Sequence, residues 1–361
     1  MSQMTLVDVS LHELELELVE PFATSRATIS SRSVVVFDVT FDIGGTKVRG
    51  VGEAAPMPGW GTESHEASLS ALRSIQPGVT LSPNDLSGVE ASLASTPTAR
   101  FAVELAALDA VSKSQSLPLA KYLADGGAAA AEILLNATIG AVDPEVAAGQ
   151  AVDAVEQGFR CLKLKVGAGE LDRDLKTVSR VRDVIGDTIS VRLDANGVWD
   201  EQHALGALQA FAPYSIEYVE QPVPAEDVEA LARLTDASPI SIAADESVAS
   251  LDRAEALIDR AAVDVLVLKP MALGGLLPAL RLAERAHEAG LGVTFTSFID
   301  SAIGRTAVAH AAASRPWLRG AHGIATGAMF ATDVVAEADP IAEGAFQLDA
   351  TPGLGREFAL S

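Results

Sequence analysis

The chain has a single cysteine, Cys161, among 361 residues, so no intrachain disulfide can form and a reducing, cytoplasmic setting is expected. It has no run of 18 or more apolar residues, which argues against a helical membrane span. Its first residues, "MSQMTLVDVS", lack the basic start and apolar centre of a secretory signal. Lysine is scarce: Lys47, Lys113, Lys121, Lys163, Lys165, Lys176 and Lys269 are the only seven. Positive charge is low altogether, with 26 Lys and Arg against 49 Asp and Glu and a net charge of −23. Such a surface repels phosphate backbones, so nucleic acid is excluded as a partner. A salt-rich cytoplasm would screen the self-repulsion, and a halophilic source is one reading of this composition. What the chain does have is apolar content, 48%, enough for a large core, and a length that suits about two domains.

The first 55 residues read as an antiparallel meander, "TLVDVSLHELELEL", "SVVVFDVTFDI" and "TKVRGVGEAA", with the turn "GGTK" between the last two. Helical patterns follow in "SHEASLSALRSI" and "ARFAVELAALDAVSKSQ". The small-residue stretch "DGGAAAA" reads as a boundary. From residue 131 the pattern alternates strand and helix: "EILLNATIG", "CLKLKV", "SVRLDANG", "IEYVEQPV", "ISIAADES", "VDVLVLKP" and "GVTFTSF" are strands, each followed by a helical stretch. "AHGIATG" near 321 supplies a short eighth strand. About eight such units over some 200 residues predict a closed (β/α)8-type, TIM-like barrel. A doubly wound open sheet is the alternative. The one candidate dinucleotide loop, "GAGELD", has Asp172 where the third glycine belongs.

Charged residues stand at the C-terminal ends of these strands. Asp194, Glu220, Asp245 and Lys269 are separated by 26, 25 and 24 residues, one β/α unit each. In a barrel such positions converge on one pocket. Three converging carboxylates repel one another without a cation, and an all-oxygen set suits Mg²⁺, with Mn²⁺ as a substitute. The plainer reading, that each acid merely caps the next helix, does not account for their register with the lysines. Lys163 and Lys165 lie two residues apart in "CLKLKVG" and so share one face of a strand. A metal and neighbouring ammonium groups would lower the pKa of such a lysine toward neutrality, suiting it to remove a proton α to a carboxylate. The expected partner is therefore a small-molecule carboxylate. The oligomeric state, a homo-oligomer included, is left open.

Taken together, Lys-x-Lys at 163 and 165, the three acids and Lys269 resemble the site of the enolase superfamily, in its muconate-lactonizing-enzyme-like subgroup. The resemblance covers nearly the whole chain. It implies an N-terminal α+β capping domain (1–125) carrying specificity loops, a barrel catalytic domain (126–330), and a C-terminal segment (331–361) that returns to the cap. It further implies that Asp194, Glu220 and Asp245 hold Mg²⁺, that Lys165 abstracts the α-proton with Lys163 tuning it, and that Lys269 acts from the opposite face. The stretches "TSFIDSAIG" and "HGIATGAMFATDVV" resemble the seventh- and eighth-strand segments of the o-succinylbenzoate synthases of that subgroup. This implies dehydration of 2-succinyl-6-hydroxy-2,4-cyclohexadiene-1-carboxylate in menaquinone biosynthesis, with Ser297, Ser301, Gly323 and Thr326 near the substrate. N-acylamino-acid racemase, dipeptide epimerase, muconate cycloisomerase and a non-catalytic relative are the alternatives. The Asp-x-Asp motif usual in dipeptide epimerases is missing: Ala325, Thr326 and Gly327 stand there, and the next acid is Asp333. Two stretches, "PFATSRATISSR" and "APMPGWGTES", look like the cap loops that close over substrate.

Overall fold

The computed structural model describes residues 3–23, 28–140 and 143–359. Residues 24–27, in the first of the two expected cap loops, lie outside the described residues.

Strand β2 (Thr28–Ile43) shows why this chain builds two cores. Val34, Val35, Val36 and Phe37 are all fully buried. Side chains alternate along a strand, so Val34 and Val36 enter the core shared with the barrel, while Val35 and Phe37 enter a separate core under the N-terminal helices. β2 pairs with β1 (Met4–Ala23) and with β3 (Thr46–Ala54), and β4 (Thr80–Leu81) adds to β1, giving the antiparallel order β3-β2-β1-β4. The β2–β3 turn uses Gly44 and Gly45, both at positive φ, as a two-residue hairpin demands. Helix α1 (His65–Arg73) starts at Ser64, whose hydroxyl accepts from the Ala67 amide. A short α2 (Glu90–Leu93) precedes α3 (Pro97–Ser114), and α4 (Leu119–Leu123) ends the unit. Helix α3 lies so close to β3 that a Cβ at Gly50 or Gly52 would run into the carbonyl oxygen of Ala106 or Ala102.

The stretch 132–140, expected as one strand, divides at Leu135. β5 (Glu132–Leu134) joins a small antiparallel sheet, and β6 (Asn136–Ile139) opens the parallel one. The parallel sheet continues through β7 (Cys161–Lys165), β8 (Ser190–Asp194), β9 (Ile216–Glu220), β10 (Ser241–Ala244), β11 (Val265–Leu268) and β12 (Gly292–Phe295), each neighbour to the next. Helices α5 (Pro144–Glu156), α6 (Leu171–Ile185), α7 (Glu201–Phe211), α8 (Val228–Ala237), α9 (Leu251–Asp259), α10 (Leu276–Glu288) and α11 (Ala302–Ala313) alternate with these strands. The eighth position is not a full strand. His322 bridges Leu135 and Gly323 bridges Thr296, both in parallel sense, and this two-residue link closes the barrel. The chain then pairs Phe330 with Leu18 of β1, adds β13 (Ile341–Ala342) and β14 (Ala345–Gln347) to β5, and hydrogen-bonds Leu354 to Asp109 of α3. No helix among the described residues is long and apolar enough to cross a membrane.

Glu104 of α3 ties the two units together. It is buried, accepts the Leu277 amide at the start of α10 (3.1 Å) and lies 3.7 Å from Arg100. Gly275 makes room for it, since a Cβ there would overlap the Glu104 carboxylate. Burial pushes the Glu104 acid up to about 7, against the pull of Arg100 and of the α10 amides. A folded-state value above the ordinary 4.5 means that the group's contribution to stability is complete below about pH 4.5 and is lost as pH rises through about 7. Glu104→Gln is therefore expected to stabilise the protein at pH 8 relative to pH 5 by about 1–3 kcal/mol. Thermal unfolding at both pH values checks this, and an unchanged difference between variant and parent contradicts it.

Candidate active site

Leu162 and Leu164 of β7 are buried toward the helices, which turns Lys163 and Lys165 into the barrel. Backbone register sets Lys165 beside Asp194 of β8, and Asp194 beside Glu220 of β9. Lys163 Nζ lies 2.6 Å from Glu220 Oε1 and 2.8 Å from Asp194 Oδ2. Lys165 Nζ lies 2.7 Å from Asp194 Oδ2 and donates to Asn196 Oδ1 at 2.8 Å. Lys269, just past β11 and four strands from β7, pairs with Asp245. The expected convergence of three acids and three lysines is therefore what the fold produces. The acids are sealed, with Asp194 and Glu220 each 1% exposed and Asp245 5%.

Charge in this pocket is finely opposed. Burial pushes Lys163 down, yet Asp194, Glu220 and Asp245 together hold it well above the ordinary lysine value. The lowering expected for lysines of this site belongs to the metal-bound site. Burial pushes Asp194 up, but Lys163 and Lys165 outweigh it and keep Asp194 well below the usual carboxylate range. For Glu220 burial wins, helped by the charge of Asp194, and the acid is pushed up to about 7. Asp245 is raised by burial against the pull of Lys269.

Three further side chains belong here that the strand-end spacing did not single out. Gln221 is fully buried, and its Oε1 accepts the amides of Asp245 and Ser247, both at 3.0 Å, which orients Asp245. Asn196 links Lys165 to Glu246, donating to Glu246 Oε1 at 3.1 Å. Glu246 is itself buried, raised by burial and by the charge of Asp194. A cavity of about 310 Å³, lined by Asn196, Gly197, Val198, Pro224 and Glu246, opens beside this link. The only sequence signal for these residues is their position one or two residues after a strand-end acid, in "DANG", "EQP" and "DES".

The expected substrate contacts fare differently. Ser297 and Thr326 share a hydrogen bond of 2.8 Å, and the Gly323 carbonyl accepts from the Ser297 amide, so these three meet at the barrel closure. Ser301 does not join them. It caps α11, is fully buried, and gives its hydroxyl to Glu53 of the cap at 2.6 Å, so it is not free for a substrate. Placing it near the substrate carboxylate is corrected: the unpaired amides at a helix start need an acceptor, and Glu53 answers both the Ser301 amide and its hydroxyl. Asp333 is likewise occupied, by Arg305 at 2.6 Å and by the Ala302 amide.

The donor set fits a hard divalent cation. Asp194, Glu220, Asp245 and Glu246 bring four carboxylates against three ammonium groups, and Glu246 Oε2 is buried without a partner. As oriented, no three Asp, Glu, His or Cys side chains among the described residues form a ready cage, because the acids face the lysines. Asp194, Glu220 and Asp245 are the residues that would hold such an ion.

Buried carboxylates facing lysines at the C-terminal mouth of a capped barrel stand where barrel enzymes carry their chemistry. Residues 6–124 match the mandelate racemase / muconate lactonizing enzyme N-terminal domain, and residues 146–360 match the enolase C-terminal domain-like family. The chain belongs to the enolase superfamily, in its muconate-lactonizing-enzyme-like subgroup. It is 31% identical to a hydrophobic dipeptide epimerase of Enterococcus faecalis, over 86% of this chain and 88% of that one. It is 29% identical to muconate cycloisomerase 1 of Rhodococcus opacus, over 99% of this chain and 97% of the other. An N-succinyl-L-Arg/Lys racemase of Bacillus cereus is 27% identical, over 86% of this chain and 85% of the other. Among solved structures, the Enterococcus epimerase complexed with Mg and the dipeptide L-Leu-L-Tyr superposes with a TM-score of 0.87 at 29% identity, covering 97% of this chain and 99% of that one. These relatives are epimerases, racemases and cycloisomerases, which favours isomerisation over the expected dehydration.

Proposed function

We propose that the protein is a two-base isomerase that moves the proton α to a carboxylate, with N-acylated amino acids as its substrate class. One observation carries this reading: Lys165 and Lys269 stand on opposite walls of the barrel with the carboxylate cluster between them. Lys165 takes the proton from one face of the α-carbon, and Lys269 delivers one to the other face, inverting the centre. Lys163, tied to Glu220 and Asp194, supplies fixed positive charge beside the substrate carboxylate. A Mg²⁺ or Mn²⁺ held by Asp194, Glu220 and Asp245 would offset the second negative charge that appears on that carboxylate when the proton leaves. The neutral lining at Ser297, Gly323, Ala325 and Thr326 suits an acylated nitrogen better than a free ammonium group, which would leave a cation without an acidic partner.

A second reading has its own support. In dehydration of 2-succinyl-6-hydroxy-2,4-cyclohexadiene-1-carboxylate to o-succinylbenzoate, one lysine removes the proton and then protonates the departing hydroxide. The same uncharged stretch, with its resemblance to o-succinylbenzoate synthases, favours that chemistry. Two assays separate the readings: α-proton exchange and inversion of N-succinyl amino acids by NMR and polarimetry, and ultraviolet absorbance of aromatisation. Faster aromatisation than inversion would replace the first reading by the second.

Under either reading, chelation should remove turnover and added Mg²⁺ should restore it. Asp245→Ala should stay folded but lose calorimetric Mg²⁺ binding along with activity. An Asp245→Ala enzyme at parental rates in chelator would remove the metal from the mechanism.

A further inference from the structure

Arg32 and Trp60, one from each of the two stretches that resemble cap loops, meet at Phe298, and Trp60 also rests on Lys269. Trp60, at the end of a tight turn in "APMPGWGTES", lies with its ring centroid 4.1 Å from Lys269 Nζ. The same ring meets Phe298 edge-on, with centroids 5.6 Å apart. Phe298 follows β12 on the barrel, so one indole bridges the cap and the seventh-strand loop. Arg32, from "PFATSRATISSR", pins both sides of that bridge. It is buried and donates to the carbonyls of Ala55 (2.7 Å) and Pro56 (3.0 Å), which lead into the Trp60 turn. It also donates to the carbonyls of Ile299 (3.1 Å) and Phe298 (3.5 Å). Ile299 is held at a φ of +55°, a conformation costly for a β-branched residue, and it persists because Arg32 grips its carbonyl and Glu53 grips Ser301 beyond it.

The two lysines are therefore supported unequally. Lys165 is fixed on two sides by groups of the barrel itself, Asp194 and Asn196. Lys269 is fixed by one barrel group, Asp245, and by a face of the cap, Trp60. A lysine has four rotatable bonds, and an ammonium held against an indole face in a partly dry site gains from the ring's quadrupole. Lys269 has only 12% of its side chain exposed, so little water competes with that contact.

We propose that Trp60, pinned by Arg32 and Phe298, is a positioning residue for Lys269, so that the capping domain sets proton transfer on one face of the substrate alone. This rests on the reading that Lys165 and Lys269 act on opposite faces of one α-carbon. In that case Trp60→Leu impairs one enantiomer and spares the other.

The experiment measures α-proton exchange in deuterium oxide separately for N-succinyl-L-phenylalanine and its D-enantiomer. Trp60→Leu should slow exchange of one enantiomer by about tenfold and leave the other within about twofold. Trp60→Phe, which keeps an aromatic face, should recover most of that loss. Arg32→Lys, too short and too narrow to reach four carbonyls, should give the same one-sided loss. A second measurement needs no substrate. Labelling by trinitrobenzenesulfonate, located by peptide mass spectrometry, should speed up at Lys269 in Trp60→Leu and stay constant at Lys163 and Lys165. Equal slowing of both enantiomers, or a labelling rise shared by all three lysines, means that Trp60 only holds the cap together and overturns the proposal. If the parent enzyme exchanges neither enantiomer, the substrate reading fails, and the labelling result alone then decides for or against the clamp.

Discussion

Lys165→Ala is expected to lower turnover by about 10⁴-fold, the upper range for losing a general base, with the fold intact. Asp194 keeps Lys163 at 2.8 Å in that variant, so no buried carboxylate is stranded and the barrel has no reason to unfold. Exchange of the α-proton should disappear for the enantiomer that Lys165 serves. Lys269→Arg is the informative partner. It keeps a cation beside Asp245 and under Trp60, but a guanidinium does not give up its proton near neutral pH. A two-base enzyme then loses inversion while Lys165 still exchanges the proton of its own enantiomer. A one-base dehydratase keeps measurable aromatisation. NMR in deuterium oxide, with each enantiomer run separately, reads the first outcome directly. Inversion at the parental rate by Lys269→Arg would end the two-base assignment.

The second large effect is on stability. Arg305 of α11 is 1% exposed and bonds both Asp333 and Asp339 at 2.6 Å, which ties the segment after the barrel back onto α11. Its guanidinium also lies over Phe330, the residue that bridges Leu18 of the cap. Removing one partner from a buried ionic group leaves uncompensated charge, so Arg305→Met should cost about 3–5 kcal/mol. Arg356 still reaches Asp339, which limits the loss there, and Asp333 bears most of it. Adding Asp333→Asn to Arg305→Met should return part of the stability, because the stranded charge is then gone. Urea unfolding measures both, and a loss under about 1 kcal/mol for Arg305→Met would show that the network is stabilised mainly by its surroundings.

Much of the site was legible because strands impose simple rules. A period of two put Lys163 and Lys165 on one face, and a repeat of one β/α unit put Asp194, Glu220, Asp245 and Lys269 at successive strand ends. The acid cluster thus follows from spacing, as does the barrel. The eighth strand shows where such rules stop. Residues 322–323 close the barrel with two bridges, and nothing in "AHGIATG" signals that so short a link suffices. The split of 132–140 at Leu135 has a similar origin, since β5 is claimed by β14, more than 200 residues later in the chain.

Polar partners were the least legible part. Ser301 had a plausible place near the substrate in sequence, yet Glu53, 248 residues away, takes its hydroxyl. Lys163 shares a strand with Lys165, yet its ion pairs reach Asp194 and Glu220 on two other strands. In each case the deciding group arrives from a distant part of the chain, and its effect depends on distances of a few ångströms in a dry interior.

By itself, then, the sequence determined the architecture, the acid triad and the three lysine positions, because hydrophobic period and strand spacing are local or regular properties. Tertiary structure alone decided which lysine leans on which acid, that Gln221 orients Asp245, and that Trp60 of the cap rests on Lys269. Those are contacts between separate elements, and no periodicity along one chain encodes the rotamer that completes them.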